Sequence, residues 1–262
     1  MKKLIFLFLI FLSISTLVYA IDFDGTDDYI DIAHDADYNF DDDEPHSGYA
    51  VISFTSTSQR NILSKIDPDG SYRGWQFYVD GGKISYLQNY SWSSRANARG
   101  CNSSINDGNE HKVVFTKGSS DTVTSIKLYI DGNECSNYNN IADTMIGNPQ
   151  PTSTLTIGVR HGSSGSNNNW FSGEIREVAL WDVELSSAEA ILLTSSNIKR
   201  LPLQIQPDNL LVYFPLDDEE DGSSCDGDTF KDYGTKEDNG TGSDGGNNSG
   251  LTATAENILS YP

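Results

Sequence analysis

Trp75-Gln76-Phe77-Tyr78-Val79-Asp80-Gly81-Gly82-Lys83-Ile84-Ser85-Tyr86-Leu87 is the stretch that decides the fold. Trp75, Phe77 and Val79 fall on alternate positions before Asp80-Gly81-Gly82, and Ile84 and Tyr86 do so after it. A repeat of two places these side chains on one face of an extended chain. Aspartate and glycine accept the positive φ that a tight hairpin turn demands. The stretch therefore predicts two antiparallel strands sharing one buried face. Similar runs lie on either side: Tyr29 to Ile32, Tyr49 to Phe54, Asn61 to Ile66 before the turn Asp67-Pro68-Asp69-Gly70, and His111 to Thr116. Ser125 to Ile130 before Asp131-Gly132, Leu155 to Val159, and Gly173 to Trp181 continue the series. Helical periodicity is confined to Ser186-Ser187-Ala188-Glu189-Ala190-Ile191-Leu192-Leu193, where Ser186 and Glu189 have the spacing of a capping box. These patterns predict an all-β protein, an antiparallel two-sheet jelly-roll β-sandwich with one short helix.

At the start of the chain, Lys2 and Lys3 precede an apolar run from Leu4 to Leu12, and Val18-Tyr19-Ala20 follows. A basic segment, a short apolar core and small residues three and one positions before Ile21 predict a signal peptide over residues 1–20, cut after Ala20. The run is shorter than the ~20 apolar residues that a span needs. Cleavage of 20 residues from the 262 leaves 242, and loss of the two lysines takes the net charge from −21 to −23. The expected location is outside the cytoplasm, extracellular, periplasmic or at the cell surface, with no membrane insertion after cleavage. Such acidity argues against nucleic acid and anionic membranes as partners, and is compatible with Ca²⁺.

Residues 21–200 form the main sandwich block. Residues 201–262 are an acidic Gly/Asn/Asp-rich extension, within which 210–216 reads as one more strand; the resemblance described below implies that it is added to the same sandwich. The cysteines are Cys101, Cys135 and Cys225. Their spacing fits no zinc motif, and export makes a disulfide the default. Cys101 with Cys135 is the preferred pair, since each lies beside a strand of the same sheet region; Cys225 with Cys135 is the alternative. The preferred bridge is worth roughly 4 kcal/mol in the loop-entropy model.

The order of these segments resembles a known family. Phe23-Asp24-Gly25-Thr26-Asp27-Asp28-Tyr29-Ile30 is similar to the entry strand of laminin-G-like, concanavalin A-like jelly rolls. Arg73-Gly74-Trp75-Gln76-Phe77, Asp107-Gly108-Asn109-Glu110-His111, Leu128-Tyr129-Ile130-Asp131-Gly132 and Leu155-Thr156-Ile157-Gly158 resemble successive family strands. Phe171 to Trp181 and the short helix after it close the series. Glu110 and Arg176 depart from it, standing where the family usually has Trp and often has Asp. The resemblance also covers Leu210 to Asp218, Asp232-Tyr233-Gly234 and Asn239-Gly240-Thr241, which look like a stretch that can supply an edge strand.

Related jelly rolls include glucanases, whose two catalytic carboxylates share one strand face. Glu174 and Glu177 are three apart, so a regular strand points them to opposite faces. The four histidines are scattered, and no nucleophile elbow or phosphate loop appears, so no catalytic residue is expected. Asp22, Asp24, Asp27 and Asp28 crowd one glycine turn. The resemblance implies that Asp24 and Glu177 can meet a structural Ca²⁺. The expected metal set is Asp24, Asp28 and Glu177, with Asx hydrogen bonding as the plainer role for Asp24 and Asp28. For ligand binding, aromatic faces pack on sugar C–H surfaces while amides bond hydroxyls. Tyr90, Trp92, Asn168 and Trp170, all in or beside polar loops, supply those groups, whereas Trp75 and Trp181 fall on core strands. The expectation is a secreted, non-catalytic carbohydrate-binding or adhesion module that takes glycans or cell-surface polysaccharide, with Ca²⁺ as a structural cofactor. The alternative is a structural ectodomain of the same fold with protein partners, and a polysaccharide-degrading glycosidase stands last.

Overall fold

A computed structural model describes residues 18–69, 72–91, 95–143, 147, 149–161, 167–198, 200–217, 224–243 and 252–256. Its strands are β1 (Val18–Asp24), β2 (Tyr29–Ile32), β3 (His46–Ser53), β4 (Arg60–Ile66), β5 (Gly74–Asp80), β6 (Lys83–Ser91), β7 (Arg95–Cys101), β8 (Glu110–Lys117), β9 (Ile126–Ile130) and β10 (Asn133–Glu134). They continue as β11 (Tyr138–Asp143), β12 (Leu155–Ile157), β13 (Arg160–His161), β14 (Asn167–Asn168), β15 (Ser172–Trp181), β16 (Leu210–Phe214), β17 (Thr229–Phe230), β18 (Gly240–Ser243) and β19 (Thr252–Glu256). The helix α1 spans Ser187–Ser195. An eight-stranded sheet runs β10-β9-β8-β3-β15-β1-β19, with β16 also paired to β15. A nine-stranded sheet runs β11-β7-β6-β5-β4-β12-β2-β18-β17, and β13 with β14 forms a separate hairpin. Every pairing is antiparallel, so the molecule is the expected two-sheet sandwich with one short helix.

The alternation read from Trp75 to Leu87 becomes two rows across the nine-stranded sheet. One row joins Ile30, Ile157, Leu63, Phe77 and Tyr86 through cross-strand pairs, and all five are buried in the core. The next row joins Thr241, Asp31, Thr156, Ser64, Gln76 and Leu87 and faces away from the core. From the opposite sheet, Ala50, Ile52, Val113, Phe115, Ile175, Val178 and Leu180 fill the space between the layers. Phe115 stacks on Tyr86 with ring centroids 4.3 Å apart and meets Phe77 at 5.1 Å. Gly48, directly opposite Phe115 in the register, makes room for it: a Cβ there would lie 2.3 Å from the Phe115 ring. His46 is buried between Phe40 and Tyr86, and burial pushes its pKa down to about 3.

The other side of the eight-stranded sheet carries a second apolar cluster. Tyr49, Val51, Val114, Tyr129, Ala179 and Trp181 pack there against Leu185, Ala190 and Leu193. The α1 start is fixed by the capping box that the sequence predicts, with Ser186 and Glu189 bonding each other's backbone N–H. Trp181 Nε1 donates to the Ile205 carbonyl at 2.8 Å, tying the connector to the sheet. In the tail, Asp232 is buried and accepts from the N–H groups of Tyr213, Gly234 and Asp238. That is how a segment of such polar composition is held in register beside β16.

Cys101 and Cys135 form a disulfide with Cα atoms 5.8 Å apart, and Cys225 is buried in the core. The bridge joins the end of β7 in one sheet to the chain just after β10 in the other. Replacing both cysteines with alanine is expected to lower unfolding free energy by about 3–4 kcal/mol in a urea titration.

His111 ties two turns together, with Nδ1 2.6 Å from an Asp131 oxygen and Nε2 3.1 Å from Asp107. Burial works against its charge, but the two carboxylates outweigh it and raise its pKa. The stabilisation is therefore full below the unfolded value of ~6.5 and is lost as pH rises through the raised folded value. His111→Gln should lower Tm more at pH 6 than at pH 9; an equal loss at both would show that the clasp is not charged.

Candidate functional site

The outer faces of the two sheets differ in kind. Apolar side chains and α1 close the outer face of the eight-stranded sheet. On the nine-stranded sheet the outward row of Asp31, Thr156, Ser64 and Gln76 is polar, and the adjacent row pairs Asn61 with Tyr78 and Tyr78 with Ser85. Asn61 is buried with neither amide atom partnered among the described residues, and Gln76 Oε1 is in the same condition. Buried amides normally have partners, so this face carries unspent hydrogen-bonding capacity.

The β13–β14 hairpin lies over this face. Ser64 Oγ and Thr156 Oγ1 both donate to the Val159 carbonyl at 2.9 Å, and Asn61 N–H donates to the Asn169 carbonyl at 2.9 Å. Arg160 Nε donates to Asn168 Oδ1 at 2.9 Å, and the guanidinium sits 5.3 Å from the Tyr72 ring centroid. Tyr72 is held from below, because Asn89 Nδ2 donates to its carbonyl at 2.8 Å. His161 bonds Asn167 and Thr154 and lies 4.0 Å from Asp31. Trp170 packs on Tyr29 with centroids 5.8 Å apart. Tyr29, Tyr72, Arg160, Asn168 and Trp170 are all partly exposed.

The Trp170–Tyr29 pair leads directly to the acidic turn. Asp28 precedes Tyr29, and Ser172 faces Asp24 across the β1–β15 ladder. Gly25 has φ +83°, and a Cβ on it would lie 2.7 Å from the Ser172 Cβ, so the turn closes tightly only with glycine there. Asp24, Asp27 and Asp28 each bring a carboxylate oxygen within 4.8 Å of the others. Asp28 is buried; one of its oxygens accepts from Asp24 N–H at 2.6 Å, and the other has no partner among the described residues. Burial, with Asp24, Asp27 and Asp22 nearby, pushes its pKa up to about 7. Three converging carboxylates with one orphaned buried oxygen fit a hard divalent cation. An open cleft of about 430 Å³ continues from the turn, lined by Asp22, Asp24, Ser53, Thr55, Ser172 and Glu174 among others.

Residues 24–190 match a family model described as the concanavalin A-like lectin/glucanases superfamily. The chain belongs to this superfamily. A candidate carbohydrate binding protein from Bacteroides ovatus superposes with a TM-score of 0.58 at 15% identity, covering 91% of this chain and 60% of that one. This chain thus spans less than two thirds of that protein's length. The CBM40 of a Ruminococcus gnavus IT-sialidase, bound to α2,3-sialyllactose, superposes with a TM-score of 0.55 at 15% identity over 70% of this chain and 99% of that one. No curated protein sequence matches.

Within this lectin-like sandwich the expected site residues are distributed unevenly. Asn168 and Trp170 sit on the β13–β14 segment described above. Tyr90 has other surroundings: a Cβ on Gly147 would lie 3.1 Å from its ring. Trp92 lies outside the described residues. The expected metal set changes membership. Glu177 is five residues along β15 from Ser172, the partner of Asp24, which places it ~16 Å away along the strand. Burial raises the Glu177 pKa, and Tyr49, Arg176 and Lys112 favour its charged form. Asp27 stands with Asp24 and Asp28 instead.

A second correction concerns Glu174 and Glu177. A bulge at Arg176 sets Glu174 opposite Ser53 and Glu177 opposite Val51, so both lie on one face. Arg176 extrudes between them and forms an ion pair with Glu110. The alternation rule fails there because one extra residue resets it. Arg160 and Tyr29 carry no signal of a site in the sequence, since a single Arg or Tyr in a short run makes no pattern, whereas Tyr72 stands beside a turn among the loop residues of the types that contact sugars.

The raised Asp28 pKa has a sign. Its folded value lies above the unfolded ~4, so the stability it supports is present below pH ~4 and is lost as pH rises through about 7. In metal-free buffer at pH 8, Asp28→Asn should therefore raise Tm. A fall in Tm of several degrees would contradict the assigned environment.

Proposed function

We propose that this chain is an exported, non-catalytic glycan-binding module. Its binding surface is the outer face of the nine-stranded sheet around Tyr72, Arg160, Asn168 and Trp170. The observation that carries this reading is the asymmetry of the outer faces: one is closed by apolar side chains and α1, while the other buries polar Ser64, Thr156, Asn61 and Gln76 and carries the partly exposed groups Tyr29, Tyr72, Arg160, Asn168 and Trp170. Sugars need that mixture, with C–H faces resting on rings and hydroxyls bonded by amides. The superfamily and the carbohydrate-binding character of the similar structures support it. Because fold alone leaves function open, the weight rests on the face itself.

Export is supported by the disulfide between Cys101 and Cys135, a bond that persists in oxidising compartments, together with the basic and apolar pattern before Ala20. Cleavage after Ala20 would keep the β1–β15 ladder, which uses Ile21 to Asp24. It would remove Val18, Tyr19 and Ala20 from their pairs with β19. Among the described residues no helix is long and apolar enough to cross a membrane.

Ca²⁺ belongs to the same proposal as a structural ion. Asp24, Asp27 and Asp28 would hold it, bringing positive charge to a turn that is otherwise self-repelling. The turn adjoins Trp170 and Tyr29, so a filled site would steady the aromatic end of the binding face.

Two measurements test the proposal. Millimolar Ca²⁺ should raise Tm of residues 21–262 by several degrees, and Asp27→Asn should remove that gain; an equal gain in the variant would move the ion elsewhere. On a glycan array, the same protein should retain at least one oligosaccharide class. Trp170→Ala should weaken that binding at least about tenfold, while Ile198→Ser beyond α1 leaves it unchanged. Retention of no glycan, with or without Ca²⁺, would overturn the binding assignment.

A further inference from the structure

Among the described residues Arg99 and Arg160 have partners but no carboxylate pair, and Arg99 spends an Nη group on the Ile126 carbonyl, whereas Arg160 does not. Arg73 pairs with Asp67 and Asp69, Arg176 with Glu110, and Arg200 with Asp217. Arg160 makes one hydrogen bond, from Nε to Asn168, and its remaining neighbours are the Tyr72 and Tyr78 rings. Among the described residues no carboxylate pairs with it. The undescribed residues nearest in sequence, 162–166, are Gly-Ser-Ser-Gly-Ser and contain no acid.

The chain has 38 Asp and Glu against 17 Lys and Arg, so carboxylates far outnumber cations. Burial also works against the charge on Arg160 and lowers its pKa. A guanidinium nevertheless stays charged at any physiological pH. Holding a charge partly out of water without a counter-ion is costly, and a neutral side chain would avoid that cost. The Asn168 contact and the Tyr72 ring fix the orientation of the group. They occupy Nε and one face of the plane, and they leave both Nη groups without a hydrogen-bond partner among the described residues. Two parallel N–H donors at the edge of a fixed plane suit a carboxylate or sulfate in bidentate contact.

We propose that Arg160 is the specificity-determining residue of this face and that it selects glycans bearing an anionic substituent, a carboxylate or a sulfate ester. The proposal rests on the glycan-binding reading above. The surrounding charge narrows the ligand further. A single positive group set in a molecule of net charge −21 attracts an isolated anionic substituent, whereas a densely charged polyanion meets repulsion from everything around it. Tyr72 and Asn168 lie beside the guanidinium to take the neutral remainder of the sugar. The ligand class is therefore a sparsely charged glycan, with one acidic unit on a neutral backbone.

The test compares sets of oligosaccharides that share a backbone and differ in one group: the neutral parent, a singly carboxylated form and a singly sulfated form, with heparin as the dense polyanion. Affinities are measured by calorimetry in 50 mM and 300 mM NaCl. A singly charged form should bind about tenfold or more tighter than its neutral parent, with the advantage shrinking at the higher salt. Arg160→Gln should abolish the advantage, so that the charged form binds the variant no more tightly than the neutral parent does. Arg160→Lys, which keeps the charge but loses the planar fork, should retain part of it. Equal binding of neutral and charged forms by the unmodified protein would overturn the inference and leave the glycan-binding reading intact, as would preference for heparin that survives Arg160→Gln. Failure to bind any oligosaccharide would overturn both.

Discussion

The packing of Phe115 between the sheets is the contact on which the rest of the structure depends. Its ring meets Tyr86 and Phe77 from the nine-stranded sheet and Trp75 and His46 beside them. Aromatic rings of this size bury large apolar areas and favour offset or edge contacts, so they set both the spacing and the relative slide of the layers. The space for Phe115 exists because residue 48 is glycine. Once this contact is made, the alternation of each strand assigns every other side chain to the core or to the outside.

Two outer faces then remain, and the chain treats them differently. On the eight-stranded sheet it spends a helix and a connector to cover Tyr49, Val51, Val114 and Trp181. On the nine-stranded sheet most residues between the core positions are Ser, Thr, Asn, Gln and Asp, with Tyr78 and Leu87 among them. The β13–β14 hairpin crosses that face through hydrogen bonds to the Val159 and Asn169 carbonyls. The groups left partly exposed there are Tyr72, Arg160, Asn168 and Trp170, which suit hydroxyls and charge. The acidic turn at Asp24 to Asp28 stands at one end of it, joined through Tyr29 and Trp170.

The fold was legible because its signals are local and repeated. The run from Trp75 to Leu87 shows strand period and turn chemistry together, and Ser186 with Glu189 marks the helix start by a reciprocal hydrogen bond. The order of Asp-Gly turns and strand motifs carried the superfamily. The disulfide could be chosen because Cys101 and Cys135 flank neighbouring strands. The site was much less legible. Asp27 replaces Glu177 beside Asp24 and Asp28 because proximity there depends on how far β15 runs past β1. Glu174 and Glu177 share a face because of a bulge at Arg176, and nothing in the local composition announces that extra residue. Arg160 draws its meaning from having no carboxylate partner among the described residues, a property of the tertiary surroundings alone.

The central claim is that ligand meets the polar face of the nine-stranded sheet. Hydrogen exchange of residues 21–262, with and without a saturating oligosaccharide found by array, tests it most directly. The account predicts that protection increases in the segments around Tyr72 to Gln76 and Val159 to Trp170, with α1 unchanged. Protection confined to α1, or to the β11 edge, would contradict it.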